Sequence, residues 1–321
     1  MGNLLDRYSG KIMRTAFSAV SVEEPDAGTP IERDENALAV FAVWGDPQIS
    51  SLSPLRTARL SAACRDIGNT RGTLDSLIIL GDVTEFGREC EYEMTAELLN
   101  SVSDKFSTFF AVPGNHDVRM RGYHKQLRKF NSFVRSVRNG VTGSDERYWF
   151  SRDMNGCKFI MMGTDAATFE GAYLNSRQLA WLDREISDAE KKGQPAFVFN
   201  HQTLKNTNGL PLTWLGKGNW RGTVGWQNDK LLEIFERHNN VIFITGHLHY
   251  GISRYNYEDC GCFKALSLPT VGVVNHGDFS ENSQGYVIFL YEDRIELRAR
   301  LHGKGIYVDE SVPGAKVIIP R

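Results

Sequence analysis

The chain has no Cys-x-x-Cys pair, no apolar run of membrane-spanning length, no large excess of either charge, and no repeat or low-complexity tract. Each absence removes a class of protein. The five cysteines (Cys64, Cys90, Cys157, Cys260 and Cys262) are odd in number, and Cys260-Gly261-Cys262 has no second ligand pair nearby. That argues against a zinc knuckle or a disulfide framework and for reduced thiols. A membrane-crossing helix needs about 20 consecutive apolar residues, and no run approaches this. A formal net charge of −2 and an isoelectric point near 6.5 disfavour a nucleic-acid partner. Arg7, Lys11 and Arg14 precede no secretory h-region, and Asp6 stands where N-myristoylation needs Ser or Thr. A cytoplasmic location is expected.

What remains is an ordinary globular composition, 41% hydrophobic and 24% charged over 321 residues. Residues 1–36 lack clear periodicity and read as an N-terminal extension, packed across the domain or partly mobile. Residues 37–321 read as a single domain. Strand-like runs alternate with helix-like stretches from Pro54, Glu89, Gly122, Ser176 and Gln227, which implies an α/β fold rich in parallel pairs. After Leu266 the pattern changes to short strands at Gly285–Tyr291, Arg294–Leu301 and Val317–Ile319, expected as an antiparallel edge or a second sheet.

Polar residues recur where the apolar runs stop. Asp46 follows Ala39–Gly45, Asp82 follows Leu77–Gly81, and Asn115-His116-Asp117 follows Phe109–Gly114. His201 follows Ala196–Asn200, and His247 and His249 follow Val241–Gly246. In open α/β sheets, ligands bind beyond the carboxyl ends of the strands. Carboxylate, amide and imidazole together suit Mn, Fe, Zn or Ni. Two metals need a bridging acid, and Asp82 is the natural one. The glycine before each of Asp82, Asn115 and His247 is expected to ease a sharp turn out of the strand.

Taken in order, Asp46-Pro47-Gln48, Gly81-Asp82, Gly114-Asn115-His116-Asp117, His201 and Gly246-His247-Leu248-His249 resemble the motifs of the calcineurin-like metallophosphoesterases. The likeness covers about Val40 to His249. It implies a four-layer α-β-β-α sandwich of two mixed sheets, with a dinuclear metal site at strand ends. Asp46, Gln48, Asp82 and His249 would hold one metal, and Asp82, Asn115, His201 and His247 the other. The metals would be two divalent ions or an Fe(III)/M(II) pair, with Mn, Fe or Zn expected. A hydroxide between them would attack phosphorus in line, with His116 stabilising the transition state and protonating the leaving oxygen. Asp117 would either orient His116 or close a turn.

One departure stands out: Gln48 occupies the place where this family commonly has His. A carboxamide oxygen is a neutral and weaker ligand than imidazole, so the first metal is expected to be held more loosely. The Asp-Pro-Gln form resembles that of the calcineurin-like phosphoesterase domain-containing proteins. Around the site, Arg119, Lys205 and Arg221 are candidates to meet phosphate. Trp214, Trp220 and Trp226 either wall the site or pin a long loop, while Tyr148, Trp149 and Trp181 read as core aromatics.

The resulting expectation is a hydrolase of phosphate monoesters or diesters acting on a small phosphorylated molecule, with a phosphoprotein as a further possibility. The competing reading is a non-catalytic metal-binding or protein-interaction module on the same fold. Retention of His116 with the ligand set favours catalysis.

Overall fold

The computed structural model describes residues 2–20, 28–120, 122–209, 222–277 and 279–321. Along the chain the elements are α1 (Gly2–Ser18), β1 (Ala39–Gly45), α2 (Pro54–Gly68), β2 (Ser76–Leu80), α3 (Glu89–Asn100), β3 (Phe109–Val112) and α4 (Asn115–Val118). Then come α5 (Tyr123–Ser136), β4 (Gly140–Val141), β5 (Phe150–Met154), β6 (Cys157–Met161), α6 (Ser176–Lys191), β7 (Ala196–Phe199), α7 (Asn228–Phe235) and β8 (Val241–Thr245). The rest is strand: β9 (Tyr257–Asp259), β10 (Phe263–Ser267), β11 (Gln284–Leu290), β12 (Arg294–Leu301), β13 (Ile306–Tyr307) and β14 (Lys316–Pro320).

Two mixed sheets result. The first runs β13-β12-β11-β1-β2-β3-β4, with β14 also on β12; the second runs β5-β6-β7-β8-β10-β9. β1, β2, β3 and β4 are parallel, as are β6, β7, β8 and β10. The C-terminal strands join the first sheet, where β11 pairs antiparallel with β1. The expected antiparallel edge is therefore a flank that makes β1 an interior strand.

The sheets meet through aromatic side chains. Phe41 lies 4.9 Å from Phe159 and 5.2 Å from Phe197, ring centre to ring centre, and Phe110 lies 5.9 Å from Phe159. Edge-to-face pairs at these distances add to the burial energy. Helices cover the outer faces, with α6 and α7 packed over Ile160, Val198 and Phe243 of the second sheet. Local signals agree with the helix limits: Pro54 opens α2, and Asn175 Oδ1 accepts from the Gln178 N–H to cap α6.

The N-terminal segment departs from the aperiodic reading. Residues 2–18 form a helix that packs on α2 and α3, with Met13 buried and Arg14 paired to Glu97. Ile31 is also fully buried. The helix is amphipathic, and its packing on α2 and α3 stabilises it. All five cysteines are free thiols, and Tyr148 and Trp149 are buried, with Trp149 against Trp181.

Candidate metal centre

The carboxyl ends of β1, β2 and β3 in one sheet and of β7 and β8 in the other open onto the same place. Asp46, Asp82, Asn115, His201 and His247 are all essentially inaccessible to solvent there. Two groups of donor atoms form. Asp82, His201 and His247 offer atoms within 4.8 Å of one another, and so do Asp46, Asp82 and His249. Asp82 belongs to both, as a bridging acid must.

The backbone reaches this arrangement by unusual means. Asp46, Gln48, Asp82, His247 and His249 all have φ between 44° and 72°. Left-handed backbone costs a residue with a side chain about 1–2 kcal/mol, and such strain gathers at functional sites. Past the strand ends the two loops stay zipped together: Gln48 N–H donates to the Asp82 carbonyl at 2.7 Å and Ile49 N–H to the Val83 carbonyl at 3.0 Å.

The motif glycines serve a purpose other than the one expected. Of the three, only Gly81 has a left-handed φ, +80°. What they share is proximity to a donor from another motif. A Cβ on Gly81 would lie 2.2 Å from His201 Nδ1, on Gly114 2.1 Å from Asp82 Oδ1, and on Gly246 2.7 Å from Asp46 Oδ2. Each glycine is the space another motif's ligand occupies.

Hydrogen bonds aim the donors. His201 Nδ1 lies 2.9 Å from the Leu80 carbonyl, which can only accept, so that nitrogen carries the proton. Nε2 then faces Asn115 Oδ1 at 3.1 Å, His247 Nδ1 at 3.2 Å and Asp82 Oδ2 at 3.3 Å. Asn115 Nδ2 donates to the Phe169 carbonyl at 3.2 Å, which turns its oxygen inward. His249 Nε2 lies 3.1 Å from Asp46 Oδ1, and His247 N–H donates to Asp46 Oδ2 at 3.1 Å. Gln48 donates from Nε2 to Glu85 Oε2 at 2.9 Å, and its buried Oε1 has no hydrogen-bond partner.

These lone pairs converge without enough donors to satisfy them, which a cation resolves. The ionisation of the cluster expresses the same demand. Burial alone would lower His201, yet Asp82 and Asp46 raise it to about 10. Burial would raise Asp82, but the imidazoles beside it hold it well below the carboxylate range. His247, buried and next to His201, is pushed well below the ordinary histidine value. Carboxamide oxygens, imidazoles and carboxylates fit a borderline divalent metal.

His116 stands beside this group, with Nε2 3.9 Å from Asp82 Oδ2. Its Nδ1 lies 3.0 Å from the Glu85 carbonyl and 2.9 Å from Arg119 Nη2. Gln48 Nε2 is about equally far from both ring nitrogens, 3.3 and 3.2 Å, so the amide lies over the ring face. Burial opposes protonation of His116, but Asp82 and Glu85 raise it to about 9. Glu85 is held down to about 2 against its burial by His116 and Arg56.

Asp117 is buried beneath the loops that carry Asp82 and His116. Its carboxylate accepts from the backbone N–H of Val83, Thr84 and Gly114 and from the hydroxyls of Thr84 and Tyr92. It ties the loops after β2 and β3 together, which agrees with the turn-closing alternative. Burial and the Asp82 charge raise it to about 6. Arg119 reaches the centre and pairs with Glu170 at 3.2 Å. Lys205 is exposed, and its backbone N–H donates to Asn228 Oδ1. Arg221, Trp214 and Trp220 lie outside the described residues.

Sequence reasoning missed Glu85, Arg56 and Glu170. Glu85 sits three residues beyond Asp82 on the same loop; that proximity was the available signal. Arg56 donates to the Gln48 carbonyl and pairs with Glu85. His276 stacks on His249 with ring centres 6.2 Å apart.

The family model for calcineurin-like phosphoesterases matches residues 40–251. A glycerophosphodiester phosphodiesterase of Enterobacter lignolyticus is 23% identical over 176 residues, 54% of this chain and 56% of that protein. The match thus spans little more than half of that relative. A 3′,5′-cyclic-nucleotide phosphodiesterase of Nostoc is 22% identical over 226 residues, 68% of this chain and 74% of that one. Among solved structures, a dimetal phosphatase from Danio rerio superposes with a TM-score of 0.62 at 15% identity, over 88% of this chain and 99% of that one. A purple acid phosphatase from yellow lupin also scores 0.62, at 12% identity, over 88% of this chain and 54% of that one. At such identities the structures speak to a shared fold.

Proposed function

The chain belongs to the calcineurin-like phosphoesterase family, and from that premise we propose that it is a metal-dependent hydrolase of phosphate monoesters or diesters of a small molecule. The observation that carries this reading is the double membership of Asp82 in two compact donor groups. The unpartnered, buried Gln48 Oε1 supports a carboxamide ligand in the first of them. Asp46, Gln48, Asp82 and His249 hold one metal, and Asp82, Asn115, His201 and His247 the other. Mn, Fe or Zn suits these donors, and the Asp-Pro-Gln form sets the chain with the calcineurin-like phosphoesterase domain-containing proteins.

When bound, the metal pair would supply Lewis acidity and make water available as a nucleophile near neutral pH. His116 holds the proton needed by the departing oxygen. The Glu85 carbonyl fixes its Nδ1 side, which leaves Nε2 on the side of Asp82. The Arg119 guanidinium supplies positive charge for the phosphate. Curated relatives that cleave diesters make a diester the first substrate to try.

The test is metal analysis of purified protein together with hydrolysis of chromogenic monoester and diester substrates, with Mn, Fe, Zn or Mg added. About two bound metals per chain and metal-dependent turnover are expected. Protein that binds no metal and cleaves neither ester under every condition overturns the proposal.

A further inference from the structure

Large exposed apolar side chains concentrate on the face that carries the metal centre. Leu52 and Leu55 follow β1, Met120 follows β3, Phe169 and Tyr173 follow β6, and Val274 follows β10; each is at least 39% exposed. Single exposed apolar residues are common on any surface. Following the strand ends that carry the donor groups, they offer surface to an apolar partner.

Phe169 differs from the rest in how it is held. Its carbonyl accepts from Asn115 inside the centre, and Gln202 Nε2 donates to the carbonyls of Glu170 and Gly171 at 3.3 and 3.2 Å. The loop is thereby anchored from within, while the ring itself is 74% exposed. The Arg119 guanidinium carbon lies 5.1 Å from the ring centre, and Arg119 Nη2 lies 2.9 Å from His116 Nδ1. Glu170 holds the other end of the guanidinium. A flat cation and a flat ring thus form a step leading outward from His116.

We propose that Phe169, backed by Arg119, seats the alcohol portion of the substrate, and that this portion carries an aromatic ring. The inference rests on the phosphoesterase reading above. A group that protonates the departing oxygen must stand beside it, so the alcohol lies on the His116 side of phosphorus. Arg119, against Nδ1 of the same imidazole, and Phe169 beyond it are the side chains that continue outward from that position. An open phenyl face gains most from another aromatic ring, by offset or edge contact, and less from a saturated group of the same size.

Phenyl phosphate and cyclohexyl phosphate, matched in size, separate these cases in the full-length, metal-loaded protein. Phe169→Ala lowers kcat/KM for the phenyl ester about tenfold more than for the cyclohexyl ester, as lost stacking predicts. Phe169→Leu, which keeps apolar area without the ring, shows the same selective loss. Equal losses on both esters, or full rescue of the phenyl ester by Phe169→Leu, overturn the aromatic assignment while leaving the hydrolase intact. A wild-type protein that cleaves a chromogenic diester but neither of these monoesters with any metal overturns this inference alone; one that cleaves no ester at all overturns the hydrolase reading with it.

Discussion

Replacing Gly81, Gly114 and Gly193 by alanine in turn separates two costs that act together at the metal centre. Gly193 has φ +65° and open space where a Cβ would go. Gly193→Ala therefore meets backbone strain alone, about 1–2 kcal/mol. Gly114 has φ −92°, which any residue adopts, but its Cβ would lie 2.1 Å from Asp82 Oδ1 and 2.2 Å from Asp82 N. Neither atom yields easily, because one is backbone and the other accepts from His116 N–H at 2.8 Å. Gly114→Ala thus meets overpacking alone, about 1–3 kcal/mol. Gly81→Ala meets both, about 2–5 kcal/mol in total. With a urea slope of about 3 kcal/mol/M, the midpoints fall by roughly 0.3–0.7 M for Gly193→Ala, 0.3–1 M for Gly114→Ala and 0.7–1.7 M for Gly81→Ala. Bound metal, measured on the same samples, distinguishes the first two. Gly193→Ala keeps its metal, while Gly114→Ala and Gly81→Ala lose it as Asp82 or His201 is displaced. The reasoning fails if Gly81→Ala keeps a full metal complement, or if Gly193→Ala unfolds as early as Gly81→Ala.

Three further outcomes are expected. His116→Ala lowers kcat by about two to four orders of magnitude with metal retained; loss of metal in that variant makes His116 a ligand instead. Gln48→His tightens the first metal, measured by competition with a chelator, and unchanged affinity removes Gln48 from the ligand set. One contribution to stability is lost as pH drops below the ordinary histidine value of about 6.5. The group responsible is His302, fully buried, with Nδ1 2.7 Å from Asp66 Oδ2 and Nε2 accepting from Trp44 Nε1 at 2.8 Å. Burial outweighs Asp66 and keeps its pKa below the unfolded value. The unfolded chain then takes up the proton first, so the contribution is present above that value and lost below it. Urea midpoints between pH 7.5 and 5 should therefore slope less in His302→Asn, and an unchanged slope contradicts the assignment.

The five runs that end at Asp46, Asp82, Asn115, His201 and His247 were readable as strands because they are short and apolar, and four of them close on glycine. β5 and β6 were harder. β5 is half-exposed and carries Arg152 and Asp153, and β6 carries Lys158, buried against Glu185 and Asp188. Here a tertiary ion pair overrides the local pattern. α1 was legible only in its amphipathic face, and its order comes from packing on α2 and α3. At the centre, residue types and their order pointed to the donors. The left-handed backbone of those donors, the clearances beneath Gly81, Gly114 and Gly246, and the turn-closing role of Asp117 depend on side chains far apart in sequence. No local window contains them.

The pairing of β1 with β11 sets an order of events during synthesis. Residues 39–43 find their antiparallel partners only at 286–290, so the strand that delivers Asp46 lacks one neighbour until nearly the whole chain has left the ribosome. Contacts this distant in sequence form late and slowly. The nascent protein can assemble β2 on β3 and β7 on β8 early, with His201 and His247 already adjacent. Its first metal-binding position, the one that needs Asp46, waits for the last strands. A chain arrested before β11 is therefore expected to present a partial site, with metal loading timed to the emergence of residues 286–290.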